Sequence, residues 1–318
     1  MASTYSIDEI MSEFEFTQAD IAKVKNGEVV NSGVATLTDR DLATMIAFEA
    51  KGISDSFERV FLESPTKQQA DSTIQQMMAS DANGELDFSS LEILPKESAA
   101  AMVKTYLTFN GGSDLNLSHK EIDMFHALGN HASQKQVEEV LQKVLAGRVQ
   151  EYKQGGLEAI SPYLRGKGKN FFPGKELQEK SEKSPYVKKF KEFADYIMGW
   201  PSSAKLDGLQ EGYQWINYNI NNKPSIALQH KVIWADKKRN VKFIFNRTFY
   251  VSQGHNSVQQ AGIAVPTGDK SALLMFVSRT STDAVSGFGG AAKRAMGSRL
   301  MGGKIAENMA AIRDTLTK

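Results

Sequence analysis

Two strand-like stretches carry the residues best placed to do chemistry. Over 224–234 the alternate positions Ile226, Leu228, His230, Val232 and Trp234 share one face. Over 241–251 Val241, Phe243, Phe245, Arg247, Phe249 and Val251 do the same. His230 and Arg247 each interrupt an otherwise apolar row, and a polar group there must find a partner or water because desolvation is costly. Such a pattern suits a cavity in which a few polar groups orient a largely apolar ligand. A strand end or bulge that returns both side chains to water accounts for it equally. Arg279 stands in the same way on the Leu273, Met275 and Val277 face.

Other constellations are weaker. His119, Asp123 and His126 fall at i, i+4 and i+7, with His131 nearby. Two imidazoles and a carboxylate on one helical face can ligate zinc, but Ile122, Phe125 and Leu128 opposite them make an ordinary solvated face sufficient. His255 and Ser257 lie in a turn-like Gly254-His-Asn-Ser257, without the G-x-S-x-G elbow of a hydrolase. Asp81-Ala-Asn-Gly84 resembles part of a calcium loop, yet Ala79 and Ser90 stand where that loop needs carboxylates. Asn83-Gly84 instead reads as a hairpin turn. There is no Walker loop and no G-x-G-x-x-G after a strand, and Gly287-Phe-Gly-Gly290 reads as a tightly packed helix start. No catalytic set emerges and no cofactor is expected; a hydrolase and a metal-dependent enzyme are the enzymatic readings left.

The elements that must position these residues follow from periodicity. Ser6-Ile-Asp-Glu9 opens a short helix through Phe14, and a second runs from Thr17 to Lys25. Glu28–Leu37 reads as a strand or extended arm. Thr38-Asp-Arg-Asp41 reads as the start of a helix carrying Leu42, Met45, Ile46 and Phe48, and helical patterns continue over Asp55–Leu62 and Thr66–Met78. A strand is expected at Glu85–Leu94, then helices at Lys96–Phe109, Ser118–Leu128 and Ser133–Lys153. The Pro/Gly-rich stretch 161–174 is a loop, and a basic helix spans Lys175–Trp200 up to Pro201. From Pro224 the period becomes two, and four strands joined by short polar turns predict an antiparallel meander. Asp283–Lys318 is helical, with Phe288, Ala292, Met296, Leu300, Met301, Ile305, Met309, Ile312 and Leu316 read as one stripe; its many glycines imply close packing, a kink or a hinge.

The fold class expected is α+β, a helical N-terminal two-thirds with a few short strands, then the meander closed by a long C-terminal helix. Its regions are 1–160, mainly helical; 161–223, loop and basic helical connector; and 224–318, antiparallel sheet plus C-terminal helix, either separate or packed as one domain with the rest. The 318 residues suit one large domain or two modest ones, and no apolar run reaches membrane-spanning length. Without cysteine there are no disulfides, thiolate metal sites or cysteine nucleophile. Cytoplasm and bacterial periplasm both fit. The net charge of +1 conceals a split: residues 1–100 carry 7 Lys/Arg and 18 Asp/Glu, which leaves 31 and 19 for the rest. The basic residues are dispersed, which speaks against nucleic acid as a partner.

By element order, residues 224–318 resemble the ends of START-type and Bet v 1-like lipid-binding domains. Gly156–Arg165 and Val285–Met301 resemble an uncharacterised bacterial family that carries no function over. The START-like resemblance implies a hydrophobic or amphipathic small molecule held between sheet and C-terminal helix. Phe243, Phe245, Phe249, Phe276, Met296 and Met301 would line that site, His230 and Arg247 would meet a polar or anionic head, and Arg279 is a further candidate ligand-binding residue. Met and Phe suit irregular apolar shapes. The rival expectation is an interaction or scaffold protein, and a basic C-terminal helix also fits an anionic membrane surface.

Overall fold

The computed structural model describes residues 6–51, 62, 73–79, 85–220, 223–268 and 270–316. Helices α1 (Ile7–Glu13) and α2 (Gln18–Lys25) open on capping boxes, Ser6 with Glu9 and Thr17 with Asp20. These satisfy the N–H groups that a helix start leaves unpaired. Helix α3 (Lys96–Thr108) follows Pro95, while α4 (His119–His126) and α5 (Gln134–Gly155) again carry capping boxes, at Ser118 with Glu121 and Ser133 with Gln136.

The strands of the main sheet are β1 (Val30–Gly33), β2 (Asp41–Lys51), β3 (Thr73–Ala79), β6 (Leu209–Ile220), β7 (Lys223–Asp236), β8 (Val241–Val251), β9 (Ser257–Gly268) and β10 (Ser271–Ser281). They pair antiparallel in the order β1-β2-β10-β9-β8-β7-β6-β3. A separate hairpin joins β4 (Tyr163–Arg165) to β5 (Lys169–Phe171). Helices α6 (Pro173–Lys183), α7 (Pro185–Lys189) and α8 (Lys191–Gly199) follow it, and α9 (Gly290–Leu316) ends the described chain. The fold is α+β, a meander followed by a C-terminal helix. Among the described residues no helix is long and apolar enough to cross a membrane.

The sheet is covered on both faces. On one, Tyr213, Trp215, Ile226, Leu228 and Phe249 pack under α3–α5, while Val232, Phe243, Phe245, Ile263 and Met275 pack under α1, α2 and α8. On the other, Ile46, Phe48, Ile233, Ala264 and Leu274 meet Met301, Ile305 and Met309 of α9.

This two-sided burial explains several departures from the sequence expectation. The segment read as a helix from Thr38 is strand β2, whose Met45 and Ala47 face α1 and α2 while Ile46, Phe48 and Ala50 face α9. A strand buried on both faces loses its period of two and shows an apolar run that also fits a helix. Within Thr66–Met78, residues 73–78 belong to β3; the rest of that expected helix, the Asp55–Leu62 helix apart from Leu62, and the Asp81–Gly84 turn lie outside the described residues.

Glu85–Leu94 is not a strand. Leu86, Phe88, Leu91 and Ile93 enter the core, but side chains satisfy the backbone: Ile93 N–H donates to Glu138 Oε1 at 2.6 Å, and Trp215 Nε1 donates to the Asp87 carbonyl at 2.9 Å. The basic helix breaks into α6, α7 and α8, because Pro185 cannot donate into a preceding turn and Ser184 caps a new start. Strands β1, β2, β3 and β6 place residues 30–51, 73–79 and 209–220 in the same sheet as 224–281.

Gly262 of β9 lies opposite Phe276 of β10 and Ile244 of β8. A Cβ there would sit 2.4 Å from both the Met275 carbonyl oxygen and Phe276 Cβ. Gly262→Ala is therefore expected to cost about 1–3 kcal/mol, read as a lowered urea midpoint with unchanged slope.

Candidate binding groove

His230 and Arg247 are register partners on β7 and β8, and both are buried. They meet through Tyr152 of α5. Arg247 Nη1 donates to the Tyr152 hydroxyl at 3.2 Å, that hydroxyl lies 2.9 Å from His230 Nδ1, and His230 Nε2 lies 3.0 Å from Glu211 Oε2. Tyr196 also donates to Glu211 Oε2, at 2.9 Å. One proton order satisfies every link: Arg247 to Tyr152, Tyr152 to Nδ1, and Nε2–H to the Glu211 carboxylate.

Burial lowers the His230 pKa, and the Glu211 hydrogen bond offsets this only in part. Burial pushes the Glu211 carboxyl up, but the bonds from His230 and Tyr196 outweigh it and hold it below the usual carboxylate range. Tyr213 stacks on the imidazole at 4.6 Å between ring centroids, and Phe249 stacks on Tyr152 at 4.1 Å. These rings fill the space that a ligand would need. The chain joins a buried cation to a buried anion through two neutral groups, a structural role.

The nine residues expected around one ligand do not surround a common space. Phe243 and Phe245 pack under α8 on the face opposite α9, with Phe193 4.9 Å from Phe243 between ring centroids. Phe249 belongs to the cluster under α3–α5. Phe276 and Met301 lie on the α9 face, and Met296 is 67% exposed. Arg279 pairs with Asp41 at the start of β2 and donates to the Ala35 carbonyl at 3.1 Å, tying down the β1–β2 connection. The alternation in β7 and β8 identifies which side chains share a face, and leaves open which helix covers it.

The C-terminal stripe also divides. A strict i+4 row drifts about 40° per step at 3.6 residues per turn, so Met296 and Leu300 point outward while Met301, Ile305 and Met309 face the sheet.

His119 Nδ1 lies 3.1 Å from Asp123 Oδ2 in water, whereas His126 Nε2 donates to the Phe109 carbonyl at 2.9 Å. Among the described residues no three His, Asp or Glu side chains gather to hold a metal ion.

A space between sheet and C-terminal helix does exist, at the other edge of the sheet. A groove of about 480 Å³ opens between β1, β2 and the first half of α9. Its floor includes Asn31, Gly33 and Thr44, and its helical wall includes Arg294, Ser298 and Arg299. Two contacts hold the helix over the strands. Ala43 N–H donates to Ser298 Oγ at 3.1 Å, and Gly302 sits where a Cβ would lie 2.6 Å from Thr44 Oγ1. Gly302 thus lets the helix descend onto the polar floor at one end, while the small side chains Ala43, Ala291 and Ala295 keep the groove open.

Arg294 donates to the Asp39 carbonyl at 3.0 Å. Arg299 is exposed, and among the described residues it has no ion-pair partner and no carboxylate lines the groove. Comparison with family models, with curated proteins and with solved structures finds no match to this chain. The groove residues escape the sequence reading because β2 reads as a helix, which hides the pairing of Gly33 with Thr44. The signal that could reveal them is the glycine spacing in α9, where Gly297 and Gly302 mark close approach to β1 and β2.

Proposed function

We propose that this chain is a binding protein for an amphipathic anion seated in the groove between β1, β2 and α9. The observation that carries this reading is a groove of about 480 Å³ whose lining, among the described residues, holds two arginines and no carboxylate. That volume falls within the range of small-molecule sites, roughly 300–1,000 Å³. A guanidinium presents a planar fork of donors that matches carboxylate, sulfate or phosphate. Ala291, Ala295 and Val34 supply apolar wall for a short chain beside that head. The reading keeps the ligand between sheet and C-terminal helix and moves it from the aromatic rows to the edge of the sheet.

Calorimetric titration with dodecanoate, dodecyl phosphate and dodecanol tests it. The two anions are expected to bind at one site and the alcohol at least about tenfold more weakly, since one charge-assisted contact contributes about 1.5–3 kcal/mol. Ala295→Trp, which fills the groove from its exposed rim, should abolish binding without lowering the melting temperature. Wild-type affinity in Ala295→Trp, or equal affinity for the alcohol, would overturn the reading.

A further inference from the structure

We infer that the outward face of α9 docks the protein on an anionic lipid surface. Phe288, Met296 and Leu300 are 102%, 67% and 68% exposed and rank among the most exposed large apolar side chains described. Within α9 the spacing of Met296 and Leu300 places them on one outward arc, with Phe288 exposed in the turn before the helix, while Gly297, Met301 and Ile305 are taken up by the sheet face. A helix apolar on two sides needs a second apolar surface. Phe288 stands between Gly287 and Gly289, whose φ values of +76° and +71° belong to the left-handed region. That turn costs a side-chain residue strain and glycine none, and it carries the ring fully clear of the protein.

Charge selects the occupant. From Ala284 to Ala306 the sequence has four cations, Lys293, Arg294, Arg299 and Lys304, and no acid. Lys293, Arg299 and Lys304 are exposed around the apolar arc and have no ion pair among the described residues. An in-plane helix with aromatic and aliphatic anchors between lysines and arginines fits the boundary of an anionic bilayer. A second such element is tethered to the same turn. Asp283 accepts from Arg165 Nε at 3.1 Å and from Arg40 Nε at 2.6 Å. The hairpin thus held continues into exposed Lys167, Lys169 and Phe172.

Flotation with vesicles of phosphatidylcholine alone, and of phosphatidylcholine mixed with phosphatidylglycerol, tests this. The full chain is expected to float with the anionic vesicles only, and less so as salt rises. Lys293→Gln/Lys304→Gln should weaken binding about thirtyfold, from the usual contribution per juxtamembrane cation. Phe288→Ser/Met296→Ser/Leu300→Ser should weaken it at least about tenfold, with an unchanged melting temperature because all three side chains are exposed. None of these five residues lines the groove, so failure here leaves the titration results of the groove untouched. Absence of flotation with anionic vesicles overturns the inference, as does wild-type flotation of the apolar triple variant. Self-association in sedimentation that the triple variant abolishes, without vesicle binding, assigns the face to a second copy instead.

Discussion

Glu121→Ala is expected to lower the unfolding free energy by about 3–5 kcal/mol. Arg148 of α5 is buried and holds Glu121 of α4 in a two-pronged pair, Nε to Oε1 at 2.7 Å and Nη2 to Oε2 at 2.6 Å. The guanidinium also donates to the Ser161 carbonyl and lies 5.4 and 5.0 Å from the ring centroids of Tyr163 and Tyr250. Glu121 closes the capping box of α4 as well, accepting from Ser118 N–H at 2.6 Å. Removing the carboxylate therefore leaves a charge that water cannot reach with only Glu151 Oε2, 3.8 Å from Nη1, as ionic partner, and it opens half of the capping box in the same step. Arg148→Met together with Glu121→Leu removes both charges and is expected to recover most of the loss, because well-packed apolar replacements of a buried pair are often neutral. Urea unfolding at low and high salt checks this, and the loss should be insensitive to salt. A cost below about 1 kcal/mol would be that of a solvated surface pair and would contradict the burial.

The meander was legible because its strands alternate cleanly. In β8, Phe243, Phe245, Arg247 and Phe249 share a face, and no reading but a strand fits that row. Strands β2 and β6 were not, for opposite reasons. β2 is apolar on both faces, so alternation vanishes. β6 buries Glu211, Gln214 and Asn217, so hydropathy gives no strand signal there. Their amide N–H groups find partners on other segments, with Gln214 donating to Gln229 and Asn217 to the Glu92 carbonyl at 2.9 Å. No local pattern encodes those partners. The same reasoning covers His230 and Arg247: their interruption of apolar rows announced a polar partner, but that partner was Tyr152, 78 residues from His230 along the chain. The groove depends on an edge strand of four residues pairing with a strand that reads as a helix, and only tertiary structure brings Asn31, Thr44 and Ser298 together.

Stability is expected to fall as pH drops from 7 towards 5, with His230 a main contributor. Its imidazole is neutral in the folded chain because burial holds it below the ordinary value of 6.5. Unfolding returns it to that value, so around and below pH 6.5 the unfolded state binds this proton more tightly than the native state does, and unfolding becomes more favourable. Glu211 acts with the same sign at lower pH. Its folded carboxyl lies below the ordinary 4.5, so the stability it contributes is present above 4.5 and is lost as pH falls through the folded value. His255, pushed down to about 4 chiefly by burial, adds to the loss between 6.5 and 4 and is unaffected by changes at residue 230. Urea midpoints measured from pH 7 to pH 3 for wild type, His230→Phe and Glu211→Gln separate these contributions. His230→Phe should start lower, having lost its bonds to Tyr152 and Glu211, but decline less steeply between pH 7 and 5. Glu211→Gln should keep that decline and lose part of the one below pH 4.5. An identical slope between pH 7 and 5 in wild type and His230→Phe would mean that residue 230 takes up its proton equally well folded and unfolded, which a neutral imidazole stacked on Tyr213 and bonded to Tyr152 cannot do.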